Sequence, residues 1–294
     1  MKKAYVQYVA ALLLFGSNGI VAGYISLDSY EIVWMRTLIG GLLLLAICLL
    51  SGHKIRFCEN KRDILFSAVS GAAMGASWLF LYEAYRQIGV GMATLAYYCG
   101  PVLVMALSPL LFHEAFTRIK AAGFLAVLCG VYLVNAPTLA DGKSGWGLFC
   151  GGMSAVLYAV MVLSSKKAKR LEGVEKSMLQ LLFGFLTVSV FVWGKQGPTL
   201  AVLPGDWAPL FLLGLLNTGV GCYWYFSAIG RLPAQSVAVC GYLEPLAAVV
   251  LSVLILGESM QPMQVLGAVL ILGGAAFGEC AGRRKRPSLS KRRE

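Results

Sequence analysis

Two stretches of the chain, 144 residues apart, share one pattern: YYCGPVLVMALSPLLFHE from Tyr97 to Glu114 and GYLEPLAAVVLSVLILGE from Gly241 to Glu258. Each opens with small or polar residues, passes through a proline into an apolar run and ends at a glutamate. Outside the motifs, Gly130 matches Gly274 at the same offset. The chain therefore contains two copies of one unit.

The composition indicates that this unit lies in a membrane. Of the 294 residues, 58% are hydrophobic and 13% are charged, against about 45–50% and about 25% in soluble domains. So few polar side chains would not cover a soluble surface, which argues against a soluble enzyme or a DNA-binding module. The 34 glycines are spread through the apolar runs, as in packed membrane helices.

Hydropathy predicts an all-α integral membrane protein with ten transmembrane helices, since one crossing needs about 20 residues. The predicted spans are 5–25, 30–51, 64–86, 90–112, 119–136, 145–165, 177–194, 207–229, 234–256 and 262–281. The start of the chain resembles a signal peptide, but more spans follow, so we expect an uncleaved first helix.

The placement of the cations tests this count. With the N-terminus inside, 21 of the 25 Lys and Arg residues fall in inside segments, three fall outside, and Arg36 lies within the second span. Cytoplasmic loops carry the excess of cations, so both termini are predicted to face the cytoplasm at the plasma or inner membrane. The tail, 282–294, holds seven cations and is expected to contact anionic lipid rather than nucleic acid.

Each copy of the repeat contains five helices, an odd number, so the second copy must be inverted. The loop after Glu114 holds Arg118 and Lys120, whereas the loop after Glu258 holds no Lys or Arg. We predict a first five-helix repeat over 1–138, an inverted one over 143–281 and a basic tail over 282–294. Inverted repeats with a binding site at their interface are typical of secondary transporters.

These features resemble the drug/metabolite transporter superfamily, in its ten-helix EamA-type branch, over about residues 5–281. The two quoted motifs carry the resemblance, together with WMRTLIGGLLLL around Arg36. It implies transport of small metabolites: amino-acid export as in some members, or organic-cation transport such as choline uptake, or drug efflux. The Leu-Glu-Pro at 243–245 is similar to the amino-acid exporters, whereas Gly100 stands near where some of these carry an acid.

Glu244 is the foremost candidate for chemistry. It lies near the centre of the predicted ninth span, about 15 Å from either end at 1.5 Å per residue. Acids at this depth usually face a cavity, so we expect Glu244 to bind a substrate ammonium or to take up a proton. The helix prolines Pro101 and Pro245 are predicted hinges, because each removes a helical hydrogen bond.

Two further charges lie within the spans. Arg36, about 10 Å deep, could reach the outer surface, pair with Glu31, or pair with a substrate carboxylate or Glu244. Glu83 is predicted to form a local ion pair with Arg86 three residues on; the alternative is an acid at the outer mouth that takes part in proton coupling.

The remaining candidates are aromatic and small polar residues inside the spans. Rings suit an aromatic side chain or, through cation–π attraction, an ammonium; the alternative for each is interhelical packing or hydrogen bonding. The predicted substrate-binding residues besides Glu244 and Arg36 are Trp78, Tyr82, Tyr97, Tyr98, Tyr158, Tyr242, Asn18 and Asn217.

The sequence gives no sign of an enzyme, a metal site or a cofactor. The two histidines, His53 and His113, have no metal-ligand spacing, and none of the eight cysteines forms a Cys-x-x-Cys pair. A membrane-embedded enzyme stays as the non-transport alternative, and it would need acids or histidines clustered at one membrane face. The expected partners are a small-molecule substrate and lipid, with the chain acting as a monomer or homodimer.

Overall fold

The structure is a computed structural model that describes residues 1–50, 61–114, 117–135, 145–171, 173–195, 202–257 and 262–284. All regular structure in these ranges is helical. The first half contains α1 (Lys2–Gly16), α2 (Asn18–Ala22), α3 (Ser29–Leu50), α4 (Lys61–Tyr97), α5 (Cys99–Phe112) and α6 (Arg118–Asn135). The second half contains α7 (Gly145–Lys167), α8 (Gly173–Lys195), a 3₁₀ turn (Pro204–Asp206), α9 (Trp207–Phe211), a π-helix (Leu212–Val220), α10 (Gly221–Ile229), α11 (Ala234–Gly241), α12 (Leu243–Leu256) and α13 (Pro262–Arg284).

These helices confirm the predicted ten spans. Within the described residues, seven helical stretches are long and apolar enough to cross a membrane, and three shorter apolar helices add to them, at Cys99–Phe112, Ala121–Leu133 and Val265–Gly274. Each of the ten coincides with one predicted span. The predicted basic tail falls almost wholly outside the described residues.

The polar and apolar side chains are distributed as a lipid environment requires. Leu110, Val190 and Leu254 are each about 75% exposed, whereas Thr218 and Gln235 are fully buried. Exposed leucine and valine have no cost against lipid tails, while buried polar groups find partners between helices. The polar interior therefore holds the candidates for function.

The structure differs from the prediction at the junction between the third and fourth spans. Instead of ending near residue 86, helical structure continues to Tyr97 as one element, α4. Yet the Cβ atoms of Ala84 and Ala96 both lie within 4 Å of the Cβ position at Gly151, whereas a straight helix would separate them by about 18 Å. The chain therefore reverses direction inside α4, between Ala84 and Ala96.

The two repeats are visible as paired contacts. A Cβ at Gly130 would lie 2.6 Å from the Gly267 carbonyl oxygen, and a Cβ at its counterpart Gly274 would lie 2.6 Å from that of Gly123. Both α6 and α13 thus use a small residue to approach each other. Helices of the two halves also pack against each other elsewhere, since α1 contacts α12 and α7 contacts α5.

The helix ends repeat as well. His113, which follows α5, has φ 53°, and Gly257, which follows α12 at the 144-residue offset, has φ 69°. Both residues adopt the left-handed conformation that ends many helices, although only glycine does so without a steric cost. The shared conformation shows that the two copies keep the same backbone at this point.

Candidate functional site

A small cavity lies between the two halves of the protein. Its lining comes from both repeats: Phe15, Asn18, Met74, Ser77, Trp78, Tyr97, Tyr158, Met161, Cys222, Tyr225, Phe226 and Glu244. Five of the predicted site residues lie in this lining, namely Asn18, Trp78, Tyr97, Tyr158 and Glu244. This central cavity is the candidate substrate site.

Glu244 supplies the acidic group of the central cavity. The ninth span is broken at Tyr242 into α11 and α12, and Glu244 lies in the first turn of α12. A carboxylate is stabilised at a helix N-terminus because the backbone N–H dipoles point toward it. Among the described residues, no group donates a hydrogen bond to this carboxylate or forms an ion pair with it, which leaves it available to a ligand.

Arg36 lies behind the cavity wall rather than in it. Its side chain is buried at 3% exposure, so it does not reach the outer surface. The Nε donates to Thr218 Oγ1 at 2.9 Å and an Nη donates to Asn18 Oδ1 at 3.5 Å. The guanidinium carbon lies 4.7 Å from the centre of the Trp78 ring. Arg36 is thus held in place by these contacts, and no ion pair joins it to Glu244 within the described residues.

Asn18 is oriented by a break in the first span. The helix ends at Gly16 and restarts at Asn18. The Asn217 side-chain nitrogen donates at 3.0 Å to the Leu14 carbonyl, which also accepts the Ser17 N–H and hydroxyl. The same nitrogen donates to Ser17 Oγ at 2.8 Å and to Asn18 Oδ1 at 2.9 Å. Because Asn217 and Arg36 are both donors, the Asn18 oxygen must face them. Its NH₂ makes no hydrogen bond within the described residues and remains a donor at the cavity.

A π-helix places the two residues that hold this network. In the segment Leu212–Val220 the hydrogen bonds span five residues, and Thr218 Oγ1 donates to the Leu213 carbonyl at 2.8 Å. In this wider turn, two neighbouring side chains contact different helices. Asn217 donates to the break between α1 and α2, and Thr218 accepts a hydrogen bond from Arg36 of α3. Such segments recur at functional sites in proteins.

Aromatic rings form one wall of the central cavity. Tyr97 and Tyr158 meet edge to face at a centroid distance of 5.4 Å, and Tyr225 Oη lies 3.3 Å from Tyr158 Oη. On the far side of Tyr225, the Tyr8 ring packs at 5.3 Å. Together with Trp78, these rings give the cavity a polarisable surface beside the single acid Glu244.

Several predicted site residues have structural contacts instead of cavity positions. Tyr98 and Tyr242, counterparts in the two repeats, pack with tilted rings at a centroid distance of 5.8 Å, and Tyr242 Oη donates to the Tyr98 carbonyl at 2.7 Å. The Tyr82 ring packs on Tyr85 at 5.6 Å. The predicted hinges, Pro101 and Pro245, are both buried and follow the helix breaks at Tyr98 and Tyr242.

Other cavity residues were not singled out from the sequence: Phe15, Met74, Ser77, Met161, Cys222 and Phe226. Most of them lie three or four positions from another residue of the lining. Met74 and Ser77 precede Trp78, Met161 follows Tyr158, and Cys222 precedes Tyr225. Helical periodicity applied to each candidate ring would have found them.

The predicted ion pair between Glu83 and Arg86 is wrong. The Glu83 carboxylate accepts hydrogen bonds from Tyr30 Oη and, at 3.0 Å, from Gln87 Nε2. Arg86 instead lies 4.0 Å from Asp28. Tertiary packing brings α3 against α4 here, so each charge takes a partner that is remote in sequence. Glu83 lies outside the lining of the central cavity.

Glu114, which follows the end of α5, caps a helix of the other repeat and lies near a cation. Its carboxylate accepts the backbone N–H groups of Ala234 at 2.8 Å and Gln235 at 3.1 Å, which caps α11 of the other repeat. Lys166 Nζ lies 3.6 Å from it. The counterpart, Glu258, lies outside the described residues.

No group of three or more His, Cys, Asp or Glu side chains that could hold a metal ion occurs in the described part of the chain. The site consists of one free carboxylate, one oriented amide, a buried guanidinium and aromatic rings. These groups can bind and orient a small polar or amphipathic molecule.

Ten membrane helices in two inverted repeats, with a polar and aromatic cavity between them, define a membrane transporter. Comparison with known proteins agrees. The chain belongs to the EamA-like transporter family, whose model matches residues 2–136 and 145–277, one match in each half.

Similar proteins are transporters by name. The uncharacterized transporter YxxF of Bacillus subtilis (strain 168) is 26% identical over 277 residues, which cover 93% of this chain and 88% of that protein. The uncharacterized inner membrane transporter YicL of Salmonella typhimurium is 23% identical, over 97% of each chain. One solved crystal structure superposes with a TM-score of 0.84 at 19% identity, over 98% of this chain and 100% of the other. That likeness shows the fold.

Proposed function

We propose that this transporter moves amino acids, or related small amphipathic metabolites, out of the cell by alternating access. The observation that carries the proposal is the unpaired Glu244 carboxylate in the central cavity. An unpaired intramembrane acid is costly unless it has a ligand, and a substrate ammonium would be such a ligand.

The other groups of the cavity suit the rest of a zwitterion. The free NH₂ of Asn18 can donate to a substrate carboxylate, and the buried charge of Arg36 behind it favours an anion at the same place. The rings of Trp78, Tyr97 and Tyr158 offer an apolar and polarisable surface to the side chain. Glu244 and Asn18 would thus bind opposite ends of one amino acid.

Alternating access would come from movement of the two halves about the cavity. The helix breaks at Tyr98 and Tyr242, each followed by a buried proline, supply points where α5 and α12 can tilt. Protonation of Glu244 would release the ammonium and couple the cycle to a proton. Both termini would face the cytoplasm, at the plasma or inner membrane.

A second candidate function is transport of an organic cation. The ring wall beside Glu244 also suits a quaternary ammonium through cation–π attraction. A cation, however, has no carboxylate for Asn18 and gains nothing from the nearby Arg36 charge. The two functions therefore predict different effects of changing Arg36.

The test is transport by the purified protein in proteoliposomes, with labelled neutral amino acids in one series and labelled choline in the other. The Glu244→Gln variant should lose at least tenfold in rate, because a neutral amide replaces a charge-assisted contact. Glu175→Gln, the same change at a residue outside the cavity, should transport at the parent rate. Equal rates for Glu244→Gln and the parent would refute the proposed site.

The same assay with Arg36→Gln separates the two functions. Amino-acid transport should fall while choline transport, if present, should not. A parent that carries choline but no amino acid, and whose choline transport is unchanged by Arg36→Gln, would favour the cation function. The Glu83→Gln variant, assayed across pH, tests the predicted role of Glu83 in proton coupling.

A further inference from the structure

A second cavity opens at the ends of α5, α7 and α10, on the face predicted to be cytoplasmic. We call it the basic vestibule. Its charged lining residues are four cations and one acid, namely Lys166, Lys169, Lys176, Arg231 and Glu114. The positive-inside rule accounts for cations on this face, but not for their convergence on one cavity.

The single acid does not balance these cations. Both carboxylate oxygens of Glu114 are occupied by the N–H groups of Ala234 and Gln235, and Lys166 pairs with it at 3.6 Å. Lys169 and Arg231 are exposed at the mouth, and Lys176 is buried with its Nζ on the Ser165 and Ala168 carbonyls. The basic vestibule therefore carries a net positive charge.

One hydroxyl in this lining has no hydrogen-bond partner. Ser227 is only 7% exposed, and its Oγ is buried and unsatisfied within the described structure. A buried polar atom without a partner costs about 1–3 kcal/mol. A hydroxyl that lines the same cavity as several cations belongs to a donor set that suits an oxyanion.

The basic vestibule lies next to the central cavity. Phe226 lines both cavities and is itself 1% exposed. The Phe226 side chain of α10 therefore separates the two cavities. Its neighbours in the sequence line one cavity each: Ser227 lines the basic vestibule and Tyr225 lines the central cavity. A solute held at Ser227 would lie next to Phe226, which also lines the central cavity.

We propose that the basic vestibule is a second binding site, which takes the carboxylate or phosphate group of a small solute. Ser227 donates a hydrogen bond to the anion, and Lys166 and Lys169 supply charge. As an access site to the central cavity it rests on the proposed transport function; as an anion site it stands independently of it.

The test uses the full chain in nanodiscs of phosphatidylcholine, which bring no net charge. Acetate and inorganic phosphate are titrated against chloride at constant ionic strength, and the melting temperature of the protein gives the affinity. We expect saturable stabilisation by acetate and phosphate but not by chloride. The Lys169→Gln and Ser227→Ala variants should each weaken this binding about tenfold.

Matched controls are available in the chain. Lys167→Gln removes a charge two residues away but outside the lining, and Ser67→Ala removes another buried, unsatisfied hydroxyl elsewhere. Both should bind the anions as the parent does. Equal weakening by Lys167→Gln and Lys169→Gln would overturn the proposal, since it would indicate general surface charge.

Two further outcomes are informative. Stabilisation that appears only with phosphatidylglycerol in the nanodisc, and not with acetate or phosphate, would assign the basic vestibule to lipid headgroups and overturn the solute site. Glu244→Gln should leave anion binding unchanged, because that residue lies in the other cavity. Failure of the proposed transport site and failure of the basic vestibule are thereby told apart.

Discussion

Asn217 shows how one residue shapes a site that it does not line. Its side-chain nitrogen holds three oxygens from the break in the first span, and one of them belongs to Asn18. The sequence predicted that Asn217 binds the substrate, because it is polar and lies deep in a span. In the structure it lies outside the lining and donates to Asn18, so we propose that Asn217 is a positioning residue that acts on the substrate through Asn18.

We expect Asn217→Ala to lower both stability and substrate affinity. The variant loses the hydrogen bonds to the Leu14 carbonyl, Ser17 Oγ and Asn18 Oδ1, at a cost of about 1–2 kcal/mol. Asn217→Asp should be as damaging, because it keeps the shape but replaces the donor by an acceptor. Melting temperature and substrate KM of the purified protein measure the two effects.

The control for this prediction is Thr187→Ala. Thr187 donates only to Phe183 of its own helix, so its loss should change neither quantity measurably. If Asn217→Asp kept the parent KM, the positioning role of the Asn217 donor would be wrong.

At the scale of elements, close helix contact decides the packing of the two halves. Gly71 and Gly75 of α4 face α8, and a Cβ at Gly75 would lie 2.5 Å from the Gly184 carbonyl oxygen. At Gly71 a Cβ would overlap the Gln180 carbonyl oxygen. Backbone atoms cannot move aside as a side chain can, so α4 and α8 depend on glycine at this crossing.

The Gly71→Ala variant should therefore be strongly destabilised, by about 1–3 kcal/mol or more for an overpacked contact. Gly152→Ala in α7 is the matched change, because nothing lies within 4 Å of its Cβ position. It should be neutral or slightly stabilising, since alanine favours the helix over glycine. Thermal unfolding in detergent measures both; a Gly71→Ala protein that melts with the parent would contradict the close crossing of α4 and α8.

At the scale of the whole molecule, the inverted repeat creates a cavity that neither half contains alone. The first helix of each half packs against the other half, and the central cavity takes residues from both. The two faces of the membrane differ in charge: Glu83 and Asp206 lie toward one end of the bundle, and the basic vestibule lies toward the other. This asymmetry predicts the orientation of the protein.

Labelling in intact cells tests that orientation. A membrane-impermeant maleimide should modify the Lys195→Cys variant from outside, because Lys195 ends α8 at the predicted outer face and is exposed. Lys169→Cys, exposed at the opposite face, should react only after the cells are permeabilised. Peptide mass spectrometry distinguishes label on each introduced cysteine from label on the native cysteines. The reverse labelling pattern would show that the predicted topology is inverted.

The sequence by itself determined the ten spans, the inverted repeat and the place of Glu244 deep within a span. These follow from hydropathy, charge placement and motif spacing, which can be read along the chain without knowing which helices touch. The family match in both halves agrees with that prediction.

Only the tertiary structure decided which polar groups meet. Apart from two nearer ones, the hydrogen-bond partners of Arg36, Glu83 and Asn217 are 53 to 203 residues away in the chain. The unsatisfied hydroxyl of Ser227 in the basic vestibule likewise leaves no local pattern. The physical reason is that hydrophobicity acts residue by residue, whereas a hydrogen bond or a cavity exists only once helices distant in sequence have packed together.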